Sequence, residues 1–362
     1  MTISGAAYSG TVYIGSYGPA DQATIHVCSF DGATGELTVK ESYGGIEEAS
    51  FLALHPNGGT LYAVSETESA HGVPGGSAAA LSIGADDGKL TFLGDALTHG
   101  EHPCYISTDA AGTTAFVSNY SGGTIALFPI AQDGSLGEAT FVIQEEEELG
   151  PRADRQEKPH PHSIQPFGSY VYMADLGTDT IFIFKHGGDA SAFAYVGTCR
   201  LHPGAGPRHI AFHPELPYAY VANELDSTVT ALRLEDGGAK LVPAGTVSTL
   251  PASWEGANYP ADIHLSPSGE RLYVSNRGHN SIAVFETAED GGLTAVQHHD
   301  CGGDWPRNFA LTPDGNYLLA GNQNSGNVAV FALDPESGKL LKQVSSLALP
   351  SPVCILFGGS NL

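Results

Sequence analysis

A chain of 362 residues with 46 Gly, 22 Pro and only five Cys can bury a large core without disulfides or metals. Its formal charge of -25, from 40 Asp+Glu against 15 Lys+Arg, argues against nucleic acid or an anionic membrane as a partner. The same acidity requires that any anionic small-molecule substrate find the few cations concentrated at one place.

Other global features are equally plain. Cys28, Cys104, Cys199, Cys301 and Cys354 are scattered, odd in number and without C-x-x-C spacing, as expected of reduced packing thiols in a cytoplasm. The opening MTISGAAYSGTVYIG has no basic segment followed by an apolar run, so no secretory signal is expected and the expected compartment is the cytoplasm. No apolar run is long enough to span a membrane. The acidity is compatible with simple solubility and with a saline habitat alike.

From the N-terminus, TVYIGSYGPADQATIHVCSF (11–30) is a partial copy of a unit that recurs along the chain. LALHPNGGTLYAVSE (52–66) is a weak copy, followed by ISTDAAGTTAFVSNYSGGTIALFPI (106–130) and SIQPFGSYVYMADLGTDTIFIFK (163–185). IAFHPELPYAYVANELDSTVTALRL (210–234), IHLSPSGERLYVSNRGHNSIAVFE (263–286) and FALTPDGNYLLAGNQNSGNVAVFAL (309–333) complete the series. Each reads apolar run, turn, apolar run, turn, apolar run. A further strand follows, as in KLTFLG (89–94), GLTAVQ (292–297) and KLLKQV (339–344). Tyr13, Tyr62, Phe116, Tyr172, Tyr220, Tyr273 and Leu318 index the second strand at spacings of 45 to 56 residues. Seven units of four strands at that period predict an all-β, seven-bladed β-propeller with antiparallel blades, one domain over residues 1–362. The first unit lacks an innermost strand and the chain ends on a lone one, PVCILF (352–357). That strand is expected to complete the first blade and close the ring, because an open blade would expose an unpaired edge.

What the units share is explained by folding; where they differ at one level is where function is sought. Six units carry Pro before the innermost strand, at Pro103, Pro161, Pro207, Pro260, Pro306 and Pro352. The next residues are Cys104, His162, Arg208, Ala261, Arg307 and Val353. The second strand ends in a turn whose variable residue is Tyr17, Thr67, Tyr120, Leu176, Glu224, Arg277 or Gln323, preceded by Asn119, Asp175, Asn223, Asn276 or Asn322 in five units. Adjacent antiparallel strands bring these two levels to one mouth of the central channel. Arg208, Arg277 and Arg307, three of eight arginines, would then share one rim with Glu224 and His162. Asn119, Asp175, Asn276, Asn322 and Gln323 are candidates to touch substrate, although an Asn or Asp in a turn commonly bonds backbone. Between the third and fourth units, EEEELGPRADRQEKPHPH (145–162) begins with a charged run expected in solvent. Its Pro-rich end is a candidate to lie over the pocket with Lys158 and His160. His102, His209, His279, His298 and His299 are expected in turns or at the surface. No local His/Cys/carboxylate spacing marks a metal site.

The segments KPHPHS (158–163), ADLGTDTIFIF (174–184), GPRHIAFHP (206–214), NELDSTVTAL (223–232), LYVSNRGHNSIAVF (272–285) and GDWPRNFALTPDGNYLLAGNQNS (303–325) resemble the lactonase seven-bladed propeller family, nearest its bacterial 6-phosphogluconolactonase branch. A fungal carboxymuconate lactonising enzyme is a further member. The resemblance implies hydrolysis of 6-phospho-D-glucono-1,5-lactone in the oxidative pentose phosphate pathway, with His162, Arg208, Glu224 and Arg277 as its site. Blades one and two, where VSETESAHGVPGG (64–76) replaces a clean turn, match less closely. Ester hydrolysis needs a base for water, donors for an oxyanion and an acid for the leaving alkoxide. Glu224 or His162 supplies the base and the other the acid, with Glu224 the first choice as base. Arg208 and Arg277 would stabilise the oxyanion and Arg307 would contact phosphate. No metal or organic cofactor is called for. The alternatives are a carboxymuconate cyclase, a lactonase for another sugar acid, or a non-enzymatic propeller that binds proteins.

Overall fold

The computed structural model describes residues 7–85, 88–144, 147–187 and 193–359. It contains seven four-stranded antiparallel sheets, each running from an inner to an outer strand in chain order. The exception is the first blade, ordered Glu36–Gly44, Ala23–Asp31, Gly10–Ser16 and then Pro352–Phe357. The C-terminal strand therefore supplies the innermost position, with Val12 opposite Phe357 and Ile14 opposite Ile355. This is the closure expected from the lone terminal strand.

Apolar burial explains why the blades form a ring. The core divides into seven clusters, and each spans one pair of neighbouring blades. One joins Val12, Phe30 and Ile355 of the first blade to Leu319 and Val330 of the seventh. Another joins Ile25 and Cys354 of the first blade to Leu61 and Leu81 of the second. The remaining five continue round the ring. No blade buries both faces alone, so stability is shared between neighbours. The outer strand Glu36–Gly44 alternates exposed with buried or half-buried residues, as one-sided packing demands.

All seven index residues lie on second strands and are at most 3% exposed. In three blades the tyrosine does more than fill space. Tyr62, Tyr172 and Tyr273 donate their hydroxyls to the carbonyls of Gly134, Gly238 and Gly338, each in the outer hairpin of the next blade. Such a buried bond contributes about 1 kcal/mol and fixes the angle between blades. Gly338 has φ 64°, and a Cβ there would stand 2.9 Å from the Tyr273 hydroxyl, so glycine is required. In the second blade, the irregular 64–76 segment holds a small extra hairpin, Ser69–Ala70 with Val73–Pro74. Glu145 and Glu146 of the acidic run lie outside the described residues. Glu147 and Glu148 are exposed, and Glu148 pairs with Arg200 at 3.1 Å.

Candidate active site

The site begins with the prolines. Each lacks an N–H, starts or nearly starts its inner strand, and faces the turn residue of the second strand: Pro103 opposite Asn119, Pro161 opposite Asp175, Pro207 opposite Asn223, Pro260 opposite Asn276 and Pro306 opposite Asn322. Immediately after each proline the register slips by one residue. A bulge of this kind re-aims the extra residue. Cys104, His162, Arg208 and Arg307 all occupy bulges, so the residues that differ between blades are those turned out of the ladder.

They meet in a pocket of about 180 Å³ at one mouth of the channel, lined by Glu66, Cys104, Tyr120, Arg155, His162, Glu224, Arg277 and Arg307. The expected convergence of the two repeat levels is therefore what the geometry contains. Arg208 lies buried beside this lining. Glu224 is at its centre. Its Oε2 accepts from Arg277 Nη2 at 2.6 Å and stands 3.2 Å from Arg208 Nε and 3.9 Å from His162 Nε2. Its Oε1 accepts from Arg155 Nη2 at 2.5 Å. Burial acts to raise the Glu224 pKa, but the Arg277, Arg208, His162 and Arg155 charges outweigh it and hold the carboxyl well below the usual range. His162 is driven the other way. Burial and the Arg208 charge lower its pKa well below the ordinary imidazole value, so its ring is neutral at pH 7.

Opposite Glu224, the Tyr17 hydroxyl donates to Glu66 Oε2 at 2.9 Å. Arg307 lies 5.2 Å from the Tyr17 ring centroid and 3.9 Å from Glu66. Its guanidinium has no hydrogen bond to any described residue, whereas Arg155, Arg208 and Arg277 each donate at least two. Four guanidiniums against the carboxylates of Glu66 and Glu224 leave the cluster two positive charges in excess, in a chain of charge -25. Such an excess of guanidinium suits a small anion.

The turn residues fall elsewhere. Asn119 donates to Thr98 O and Thr124 Oγ1, Asn322 to Cys301 O, and Asn276 to Thr249 O and Ser281 Oγ. Asp175 accepts the N–H groups of His160, Gly177 and Thr178, and burial, opposed by those bonds, raises its pKa to about 7. These side chains close turns and do not line the pocket. Gln323 is half-buried and also off the lining. His160 supports the wall from behind, stacked on Tyr120 at 4.4 Å with Nδ1 2.9 Å from the Tyr120 carbonyl. Lys158 is exposed. His209, expected at the surface, is buried, because the bulge after Pro207 turns it into the channel.

Repeat comparison passed over five pocket residues or supports. Cys104, Tyr17 and Tyr120 stood at the two distinguishing levels but carried no charge to mark them. Glu66 takes the Asn level of blade two, where the turn is irregular. Arg155 lies on the linker between blades three and four, outside every repeat. That linker is strapped down by the buried Gln156, whose Nε2 donates to Leu176 O and Asp179 Oδ1 and whose Oε1 accepts Arg152 N. Every blade thus places a residue at the site or against its wall, including blades one and two, which match the family less closely in sequence and supply Tyr17 and Glu66.

Residues 11–357 match the family model described as lactonase, 7-bladed beta-propeller. The chain is 34% identical to the 6-phosphogluconolactonase of Bacillus subtilis over 352 residues, 95% of this chain and 97% of that one. It is also 34% identical to the Klebsiella pneumoniae 6-phosphogluconolactonase over 292 residues, 79% of this chain and 80% of that one. The structure of Pseudomonas aeruginosa periplasmic gluconolactonase superposes with a TM-score of 0.89 at 30% identity, covering 97% of this chain and 99% of that one. With its closed ring, its rim of bulged polar residues and these similarities over nearly its whole length, the chain belongs to the lactonase family of seven-bladed β-propellers.

Proposed function

We propose that this protein hydrolyses 6-phospho-D-glucono-1,5-lactone to 6-phosphogluconate, with His162 as the base that activates water. The observation that carries the substrate class is the excess of guanidinium in the pocket, with Arg307 making no hydrogen bond to any described residue. A phosphate dianion supplies the acceptors that Arg307 lacks, and guanidinium geometry suits it. The names of the relatives in Bacillus and Klebsiella support the same substrate.

The base is chosen on proton affinity. A carboxylate held by three guanidiniums is a poor proton acceptor, and Glu224 is so held. His162 is neutral and lines the pocket, and among the described residues its ring nitrogens have the Cys104 sulfur at 3.7 Å from Nδ1 and Glu224 at 3.9 Å from Nε2. In the reaction, His162 Nε2 takes a proton as water oxygen bonds to the lactone carbonyl carbon. The carbonyl π pair moves to oxygen and is stabilised by Arg277 and Arg208. The carbonyl re-forms as the ring C–O bond breaks, and the leaving alkoxide takes the proton from His162. Glu224 offsets the transient imidazolium and keeps the arginines together.

The test is hydrolysis by the purified protein at a pH where spontaneous ring opening is slow. The phosphorylated lactone should be opened faster than D-glucono-1,5-lactone or carboxymuconate substrates. No acceleration of any of them would refute the reading. Preference for the unphosphorylated lactone, which the name of the Pseudomonas structure makes the competing substrate, would reassign it.

A further inference from the structure

Glu66 and Glu224 both present a carboxylate to the pocket, and the two are not equivalent. Both Glu224 oxygens are drawn to guanidiniums, Oε1 to Arg155 and Oε2 to Arg277 and Arg208. Glu66 commits one oxygen inside the protein. Its Oε2 accepts from the Tyr17 hydroxyl at 2.9 Å, and its Oε1 accepts no hydrogen bond from any described residue. Arg307 Nη2 stands 3.9 Å from that Oε1, beyond hydrogen-bond distance.

Tyr17 keeps this donor and this acceptor apart. Burial raises the Tyr17 pKa, so its hydroxyl stays protonated and donates to Oε2. The face of the same ring carries the Arg307 guanidinium, with Cζ 5.2 Å from the centroid. The backbone fixes both residues: the Glu66 N–H donates to the Glu48 carbonyl and the Tyr17 N–H to the Ser351 carbonyl, each at 3.1 Å. A guanidinium and a carboxylate oxygen, neither hydrogen-bonded to any described residue, thus stand side by side on the pocket wall. Their side chains are 19% and 14% exposed, so bulk water satisfies them poorly. The pair suits a ligand that carries an acceptor and a donor close together. A bare anion satisfies Arg307 and is repelled by Glu66. A phosphorylated sugar satisfies both, because phosphate oxygen accepts from Arg307 while a hydroxyl donates to Glu66.

We propose that Glu66 is a specificity-determining residue: its Oε1 accepts a hydrogen bond from a hydroxyl of the sugar lactone and disfavours a carboxylate at the same place. This rests on the sugar-phosphate lactone given above as substrate, and it names the group that reads the sugar where Arg307 reads the phosphate. It also sets the site against carboxymuconate, which carries carboxylates and has no hydroxyl to donate.

Two stable ligands isolate the hydroxyls. 6-Phosphogluconate and 6-(phosphonooxy)hexanoate share the carbon chain, the carboxylate and the phosphate, and differ in the hydroxyls alone. Calorimetric titration of the wild type should show 6-phosphogluconate binding more tightly by about tenfold or more. Glu66→Ala should lower that ratio of affinities about tenfold. Glu66→Gln keeps a partner for Tyr17 and replaces the charged acceptor by an amide, and it should lower the ratio roughly threefold. A Glu66 that merely neutralised Arg307 would change the affinity for both anions together and leave the ratio alone. No preference in the wild type, or an unchanged ratio in either variant, overturns the proposal. Neither ligand is turned over, so the outcomes separate. A ratio that depends on Glu66 in a protein that opens no lactone supports the hydroxyl contact and sinks the reaction. Lactone hydrolysis with a ratio indifferent to Glu66 leaves the reaction standing and removes Glu66 from specificity.

Discussion

Arg277 Nη2 donates to Glu224 Oε2 at 2.6 Å across the boundary between blades five and six, with both side chains buried. The pair is not symmetric in its consequences. Glu224 faces two further guanidiniums, whereas Arg277 has, among the described residues, Glu224 as its one carboxylate within salt-bridge distance. Glu224→Gln leaves three buried or half-buried cations without a counter-ion. It should cost about 3 kcal/mol or more, as breaking a buried pair does. Arg277→Ala leaves Glu224 still paired and should cost less stability. Its kcat should fall by about a hundredfold or more, because an oxyanion donor is lost. Chemical denaturation and steady-state kinetics on both variants check the asymmetry. Equal stability losses would count against a single carboxylate at the centre of the cluster.

Arg307 should behave differently. It packs over Tyr17 and makes no hydrogen bond to any described residue, so Arg307→Ala should change the melting temperature little. A charged hydrogen bond to phosphate is worth about 1.5–3 kcal/mol, and its loss should raise KM for the phosphorylated lactone roughly tenfold to a hundredfold. Hydrolysis of the unphosphorylated lactone should be nearly unaffected. If both substrates lose equally, Arg307 does not read the phosphate.

The pH dependence follows from two buried imidazoles. The His162 pKa lies well below 6.5, first through burial and then through Arg208, so the neutral base persists as the pH falls through 6.5. The acid limb of kcat/KM should accordingly lie below pH 6.5. Stability moves in the same sense. His162 and His209 have folded pKa values below the unfolded value of 6.5, with His209 at about 4. The unfolded chain therefore takes up protons first as the pH drops. The His209 contribution is complete above pH 6.5 and is lost between there and about 4, the His162 contribution is lost in the same sense from pH 6.5 downward, and Glu224 and Asp262 add a loss of the same sign in the carboxylate range. Asp175, raised to about 7 by burial, and His264, raised by Asp262, act in the opposite sense over this range. Melting curves from pH 8 to 4.5 in an Asp175→Asn/His264→Gln background, which removes both opposing titrations, therefore test this, and a flat profile there would contradict buried neutral histidines.

The repeat pattern made the ring, its closure and the mouth of the channel legible, because period and strand pairing are local properties of the chain. It did not separate Asn276 from Arg277. Both are turn residues at the functional mouth, and only the fold decides that one faces the pocket while the other bonds Thr249 O, Ser281 Oγ, Thr249 Oγ1 and Asn258 Nδ2. Asn276→Ala should therefore destabilise by about 1–3 kcal/mol while leaving KM unchanged, which is the opposite signature to Arg307→Ala. A raised KM at unaltered stability would return Asn276 to the substrate. Arg155 was illegible for another reason. It lies outside the repeat, and its placement depends on contacts that no neighbouring blade duplicates.

Those contacts allow the linker to be tested directly. Gln156 is 1% exposed and ties the strap to Leu176, Asp179 and Arg152 through three hydrogen bonds. One residue away, Arg155 reaches Tyr120 at 3.3 Å and Glu224 at 2.5 Å. Arg155→Ala removes one cation from the pocket and leaves the strap anchored. It should raise KM for the anionic lactone about tenfold, near 1.4 kcal/mol, at almost unchanged stability. Gln156→Ala leaves buried acceptors unpaired and should cost about 1–3 kcal/mol of stability. If the strap acts on the site through Arg155, Gln156→Ala should also raise KM, and adding Arg155→Ala to it should raise KM little further. Fully additive effects on KM in the double variant would mean that the strap shapes the pocket by another route.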